Sequence, residues 1–152
     1  QAESGPWRNF YLTGARDLFK KDVPYTSQLI NDGVLAQMDM GTLLDYCAIQ
    51  LNGEKAAGKE AVININFTDT KEKVMLMLNN GVLNHRLGSQ DKKADLTMEI
   101  AKMDFVKLFF GRTDLQTLRK TNKVKTTGDT KAIDMIRSAY EPADPNFKIV
   151  LP

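Results

Sequence analysis

Ala61-Val62-Ile63-Asn64-Ile65-Asn66-Phe67-Thr68, followed by Asp69-Thr70-Lys71-Glu72 and then Lys73-Val74-Met75-Leu76-Met77-Leu78, is the stretch that decides the fold. Its first part alternates strictly: Ile63, Ile65 and Phe67 point one way, and Asn64, Asn66 and Thr68 the other. Period-two alternation is the mark of a strand with one buried face. Residues 69–72 make a hairpin turn. The next strand sends Val74, Leu76 and Leu78 one way and Met75 and Met77 the other. Asn79-Asn80-Gly81 contains Asn-Gly, the strongest short hairpin signal, and predicts a third strand over 82–87. Residues 88–93 read as a polar loop. Residues 94–100 alternate again, with Leu96, Met98 and Ile100 against Asp95, Thr97 and Glu99.

Outside this run the period lengthens. Residues 102–110 predict a helix with Met103, Phe105, Val106, Leu108, Phe109 and Phe110, ended by Gly111. A second helix is expected over 114–120, capped by Asp114, then a short strand over 124–127 and a helix over about 130–140 that turns Ile133 and Ile136 inward. Residues 147–152 read as an extended tail. Upstream, 27–38 predict a short helix capped by Ser27. Residues 40–51 predict a better one, stopped by Asn52-Gly53, with a loop over 55–59. The expectation is an α+β domain, an antiparallel sheet with helices on one face and the other face wet.

The composition changes around Pro24. The segment from Trp7 to Asp22 carries Trp7, Phe10 and Tyr11 in its first few positions, with Leu12 and Leu18, and a helix is expected over about 8–20. That is a large apolar surface for the start of a chain, and it packs either on a partner or back on its own domain.

Composition excludes several classes. The chain has 152 residues, 42% hydrophobic and 26% charged, as one globular domain does. Its net charge is +2, which argues against a polyanionic partner; the basic group Arg119, Lys120, Lys123 and Lys125 has no interleaved aromatics and reads as a solvated face, not a nucleic-acid site. No apolar run is long enough to span a membrane. Residues 1–6 do not read as a signal peptide, and the missing initial Met suggests a processed chain or a fragment. Cys47 and His85 are single, so no disulfide and no zinc site of familiar spacing is expected; a Cys47–His85 nucleophile pair conflicts with the apolar setting of Cys47. Asn66-Phe67-Thr68 matches a glycosylation sequon but lies inside a strand. Phosphate loops and hydrolase motifs are absent.

What stands out is seven Met and seven Phe. Phe105, Phe109 and Phe110 on one helix, with Ile133 and Ile136 on another, face a sheet lined by Ile65, Phe67, Leu76, Leu78 and Met98. These ten residues are the candidate wall of an apolar pocket. Periodicity alone favours plain core over cavity.

The segments Leu43-Leu44-Asp45-Tyr46-Cys47-Ala48-Ile49-Gln50-Leu51-Asn52-Gly53, Ile65-Asn66-Phe67-Thr68-Asp69-Thr70, Leu78-Asn79-Asn80-Gly81-Val82-Leu83-Asn84-His85 and Val124-Lys125-Thr126-Thr127-Gly128-Asp129 resemble, in this order, the sterol-carrier-protein-like domain that ends bacterial alkyl sulfatases. Trp7-Arg8-Asn9-Phe10-Tyr11-Leu12-Thr13-Gly14-Ala15 resembles the last stretch of the dimerisation domain before it. The resemblance implies a boundary, with 1–24 ending the dimerisation region and 25–152 forming the carrier-like domain. It implies a parent hydrolase, with a metallo-β-lactamase-like catalytic domain that uses zinc to cleave long-chain alkyl sulfates. The carrier-like domain would recruit the alkyl chain, as sulfate, alcohol or lipid. No cofactor is expected in this chain itself, because the family's zinc motif is not in it. Its partners would be the catalytic and dimerisation domains. Members of the family are often periplasmic or secreted. A sulfate head would need a cation at the pocket mouth, and Arg86, Lys107, Arg112 and Lys125 are available. The competing expectation is an assembly domain with a solid core and no ligand.

Overall fold

The protein is seen in a computed structural model that describes residues 4–19 and 31–142. They fall into two units. One contributes a single described helix, α1 (Gly5–Phe19). The other contains α2 (Asp32–Gln37), α3 (Met40–Ile49), α4 (Gly53–Ala56), β1 (Ala61–Phe67), β2 (Lys73–Asn79), β3 (Val82–Leu87), β4 (Leu96–Ile100), α5 (Lys102–Phe109), α6 (Leu115–Lys120), β5 (Val124–Gly128) and α7 (Lys131–Ser138). The fold is α+β. The Ser27 cap and the tail over 147–152 lie outside the described residues.

The five strands form one sheet in the order β3-β2-β1-β4-β5. The two predicted hairpins are present. Asn80 and Gly81 both take positive φ, 51° and 76°, as a two-residue turn with the right twist requires. The register places Ile65 opposite Val74 and Met98, and Ile63 opposite Leu76 and Leu96. These side chains are all fully buried and lie on one face, the face the alternation selected.

One strand pair departs from the expected antiparallel sheet: β1 and β4 are parallel. Alternation assigns a face to each side chain but does not choose a strand's neighbour or direction. Here the chain leaves β3 at one edge and enters β4 beyond β1. Residues 88–95 must cross about 14 Å of sheet and return about 13 Å along the strands, some 19 Å in all, within a reach of roughly 23 Å. The connection therefore lies flat on the sheet. Asn64 Nδ2 donates to Asp91 O at 2.7 Å, and Asp91 N donates to Asn64 Oδ1 at 3.0 Å. Gln90 Nε2 donates to Asn66 Oδ1, and Asp95 Oδ2 accepts from Val62 N at 2.7 Å. The face expected to be wet is thus partly covered, and Asn64 and Met75 on it are buried.

The helices cover the other face. In α3, Met40, Leu43, Leu44 and Cys47 recur at i, i+3, i+4 and i+7 and are buried together. Asp39 caps it, accepting from Thr42 N at 2.9 Å. The helix expected over 27–38 is capped at Asn31, whose extended backbone starts α2 at Asp32 and whose Oδ1 accepts from Val34 N at 3.0 Å. The first two residues of the expected loop over 55–59, Lys55 and Ala56, belong instead to the single turn α4, because Asn52 both ends the preceding segment and caps a new one through Lys55 N. Ala101, the N-cap of α5, offers no side-chain bond. Asp69 of the β1–β2 turn takes its place, receiving Lys102 N at 3.0 and 3.1 Å. The Lys102 ammonium reaches back to Ala36 O at 3.1 Å and to Met38 O, and so ties α5 to the end of α2.

Candidate apolar ligand site

All ten pocket candidates belong to the second unit. Nine of them, Ile65, Phe67, Leu76, Leu78, Met98, Phe105, Phe109, Ile133 and Ile136, are at most 2% exposed. Phe110, the C-cap of α5, is half-buried. Sheet and helices bring them into one cluster.

Rings run through this cluster as a connected column. Phe67 of β1 meets Phe105 edge-on with centroids 5.7 Å apart, and Phe105 lies 6.1 Å from Phe109. Phe109 contacts Phe110 at 5.2 Å and Tyr140 at 6.0 Å. Phe110 contacts Tyr140 at 5.4 Å and Tyr46 of α3 at 5.8 Å. Such edge-on and tilted contacts are the favoured aromatic geometries. The column grades from closed to open: Phe67, Phe105 and Phe109 are sealed, and Phe110, Tyr46 and Tyr140 are half-buried.

Tyr46 and Tyr140 complete this outer end, and the sequence reading did not single them out. Tyr140 follows α7 and is held by the backbone: Leu51 and Tyr140 form an isolated antiparallel bridge, Asn52 N donates to Ala139 O at 2.8 Å, and Glu141 N donates to Gln50 O at 3.0 Å. These partners are about ninety residues apart in sequence, so no local signal announces them. The Tyr140 phenol is shifted above its ordinary pKa of 10.0, first by burial and then by the neighbouring Tyr46, with the Arg112 charge opposing the shift.

The four candidate cations separate clearly. Arg86 is exposed on β3 in register with Met75, on the sheet face away from the helices. Lys125 pairs with Glu99 at 3.7 Å and is also on that face. Lys107 is part-buried in the last turn of α5. Arg112 is the one whose charge acts on the aromatic end, at Tyr140. Its position is set by the end of α5. Gly111 takes φ 69°, Gly111 N donates to Leu108 O at 3.2 Å, and Arg112 N donates to Lys107 O at 2.8 Å. This double bond pattern reverses the chain just past Phe110. The Arg112 guanidinium pairs through Nη1 with Asp32 of α2.

The nucleophile pair does not form. Cys47 is sealed, and burial pushes its thiol up to about 12, so it is protonated at neutral pH. His85 shares the helix-side face with Leu76 and lies 3.7 Å from Asp45. Among the described residues no group of three or more His, Cys, Asp or Glu is placed to hold a metal ion. No described helix is long and apolar enough to cross a membrane.

Comparison with known proteins adds a family. The family described as alkyl sulfatase C-terminal matches residues 28–152. A linear primary-alkylsulfatase from a Pseudomonas species is 38% identical over the whole chain. The structure of the stereoselective inverting sec-alkylsulfatase Pisa1, also from a Pseudomonas species, superposes on 98% of the chain with a TM-score of 0.85 and 33% identity. A sterol-carrier-protein structure, the palmitated SCP2L2 of Aedes aegypti, covers 69% of this chain with a TM-score of 0.48 and 14% identity, and is itself matched over 100% of its length. The chain spans 23% of the length of each of the two alkylsulfatases.

Proposed function

This chain belongs to the alkyl sulfatase C-terminal family, and from that premise we propose that it is the non-catalytic domain with which an alkyl sulfatase holds the alkyl chain of its substrate. The observation that carries this reading is the column of rings that grades from the half-buried Tyr46, Phe110 and Tyr140 to the sealed Phe109, Phe105 and Phe67. An alkyl chain entering beside Phe110 would meet apolar rings that already touch one another and would have to part them. Each methylene leaving water contributes about 0.8 kcal/mol, so a long chain carries enough driving force to part half-buried rings. Hydrolysis, and any zinc that serves it, belongs in this reading to a separate catalytic domain, and the candidate residues act only by holding substrate near it.

A second reading has its own support. The candidate side chains are already closely packed, as those of an assembly domain with a solid core would be. Native mass spectrometry with dodecanol separates the two. Saturable one-to-one binding that weakens in Phe110→Ser, a change at the half-buried end that leaves the sealed core intact, supports uptake. A folded chain that takes up no alcohol supports the solid core.

A further inference from the structure

Resting on that reading, we infer that Arg112, Tyr46 and Tyr140 form an oxyanion-binding rim, so that the domain holds a sulfate-headed amphiphile in preference to the neutral alcohol with the same tail. The rim is built from three separate elements. Tyr46 comes from α3, Arg112 from the turn that ends α5, and Tyr140 from the bridge after α7. Phe110 lies between the two tyrosines, 5.8 Å from one ring and 5.4 Å from the other. The two tyrosine rings therefore flank Phe110, and Arg112 follows it by two residues through the Gly111 turn.

Each member has donor capacity to spare. Among the described residues no hydrogen bond holds either phenol hydroxyl. Asp32 engages Arg112 only through Nη1, and a guanidinium has five N–H donors, so Nη2 and Nε stay available. A sulfate monoester presents one negative charge over three terminal oxygens, which suits a planar guanidinium flanked by hydroxyl donors. Burial keeps the Tyr140 phenol protonated and able to donate. Asp32 is the opposing charge at the rim and weakens anion binding there, since the two share one cation. Arg86 and Lys125, on the opposite sheet face, cannot substitute.

The consequence is a direction of traffic. Hydrolysis of an alkyl sulfate removes the anionic head and leaves an alcohol. A rim of this kind holds the substrate and releases the product.

The test is calorimetry of the full chain with decyl sulfate and with decanol, both far below micelle formation, on the wild type, on Arg112→Gln and on the double variant Tyr46→Phe with Tyr140→Phe. Near-UV circular dichroism confirms that each stays folded and that the sulfate binds without unfolding. The wild type is expected to bind decyl sulfate more tightly than decanol. Arg112→Gln should lose about tenfold or more in decyl sulfate affinity, with decanol unchanged, as expected for the loss of charge-assisted bonds. The double tyrosine variant should lose several-fold in the same ligand only. If the wild type binds both ligands and Arg112→Gln leaves their ratio unchanged, the rim is overturned while the tail-binding reading stands. If the wild type binds neither, the tail-binding reading fails and the rim with it.

Discussion

Two helical segments of this chain each carry a group of three neighbouring aromatic side chains, and the surroundings of the two groups are opposite. In α1, Trp7, Phe10 and Tyr11 are 66%, 60% and 61% exposed, and their described ring contacts are with each other, at 6.4 and 6.5 Å. At α5, Phe105 and Phe109 are sealed, and the ring contacts reach Phe67, Tyr140 and, through Phe110, Tyr46. The difference is not ring content. At α5 it lies in what the unit that contains this helix brings to it. The sheet supplies Phe67, and two chain crossings supply Tyr46 and Tyr140. A helix's aromatic stripe therefore states what it can bury, and long-range partners decide whether it does so.

The contrast can be broken most forcefully by truncating one ring on each helix. Phe105→Ala should destabilise the domain by about 3–5 kcal/mol, because a sealed ring leaves a cavity. Phe10→Ala should change stability by less than about 0.5 kcal/mol. Urea unfolding of both variants measures the difference, and equal losses would mean that α1 is packed as tightly as α5. A smaller effect is expected at the helix starts. Asp69→Ala removes the carboxylate bonded to Lys102 N and should cost roughly 1–2 kcal/mol. Ser4→Ala removes only a long 3.4 Å bond to Trp7 N and should cost a few tenths at most, on the order of the weakest caps.

The smallest effect is the acid response of the capped helices. The Asp114 carboxylate is held below its ordinary 3.8, first by the backbone of Thr117 and then by its hydroxyl. A carboxyl whose folded pKa is depressed adds stability above its unfolded pKa and loses it as pH falls through the folded value. That window lies below 3.8. Asp39 behaves alike, through the Thr42 hydroxyl first and then its backbone. Asp114→Asn keeps a cap without the charge, so its stability should fall less steeply than wild type between about pH 4 and pH 2, read as the urea midpoint at each pH.

Much of the fold was legible. The alternation of Ile63, Ile65 and Phe67 marked the buried face of β1, and Asn80-Gly81 marked the hairpin that joins β2 to β3. The start of α6 at Asp114 was also readable, because a cap and its helix are neighbours in sequence. The parallel pairing of β1 and β4 was not, since it follows from the path of residues 88–95 rather than from either strand. Nor was Asp69 as the anion at the start of α5, thirty-three residues away. At the candidate site the sequence named the apolar residues and a set of four cations. The strand register sets Arg86 and Lys125 on the other sheet face, and the turn at Gly111 places Arg112 just past Phe110.

The measurement that tests the central claim most directly is amide hydrogen exchange of this chain with and without decanol. Uptake of the tail along the ring column predicts slower exchange in α5, α7 and β1, with α1 unchanged. Exchange that stays the same throughout, with the chain folded, would contradict uptake and leave the rings of α5 as ordinary core.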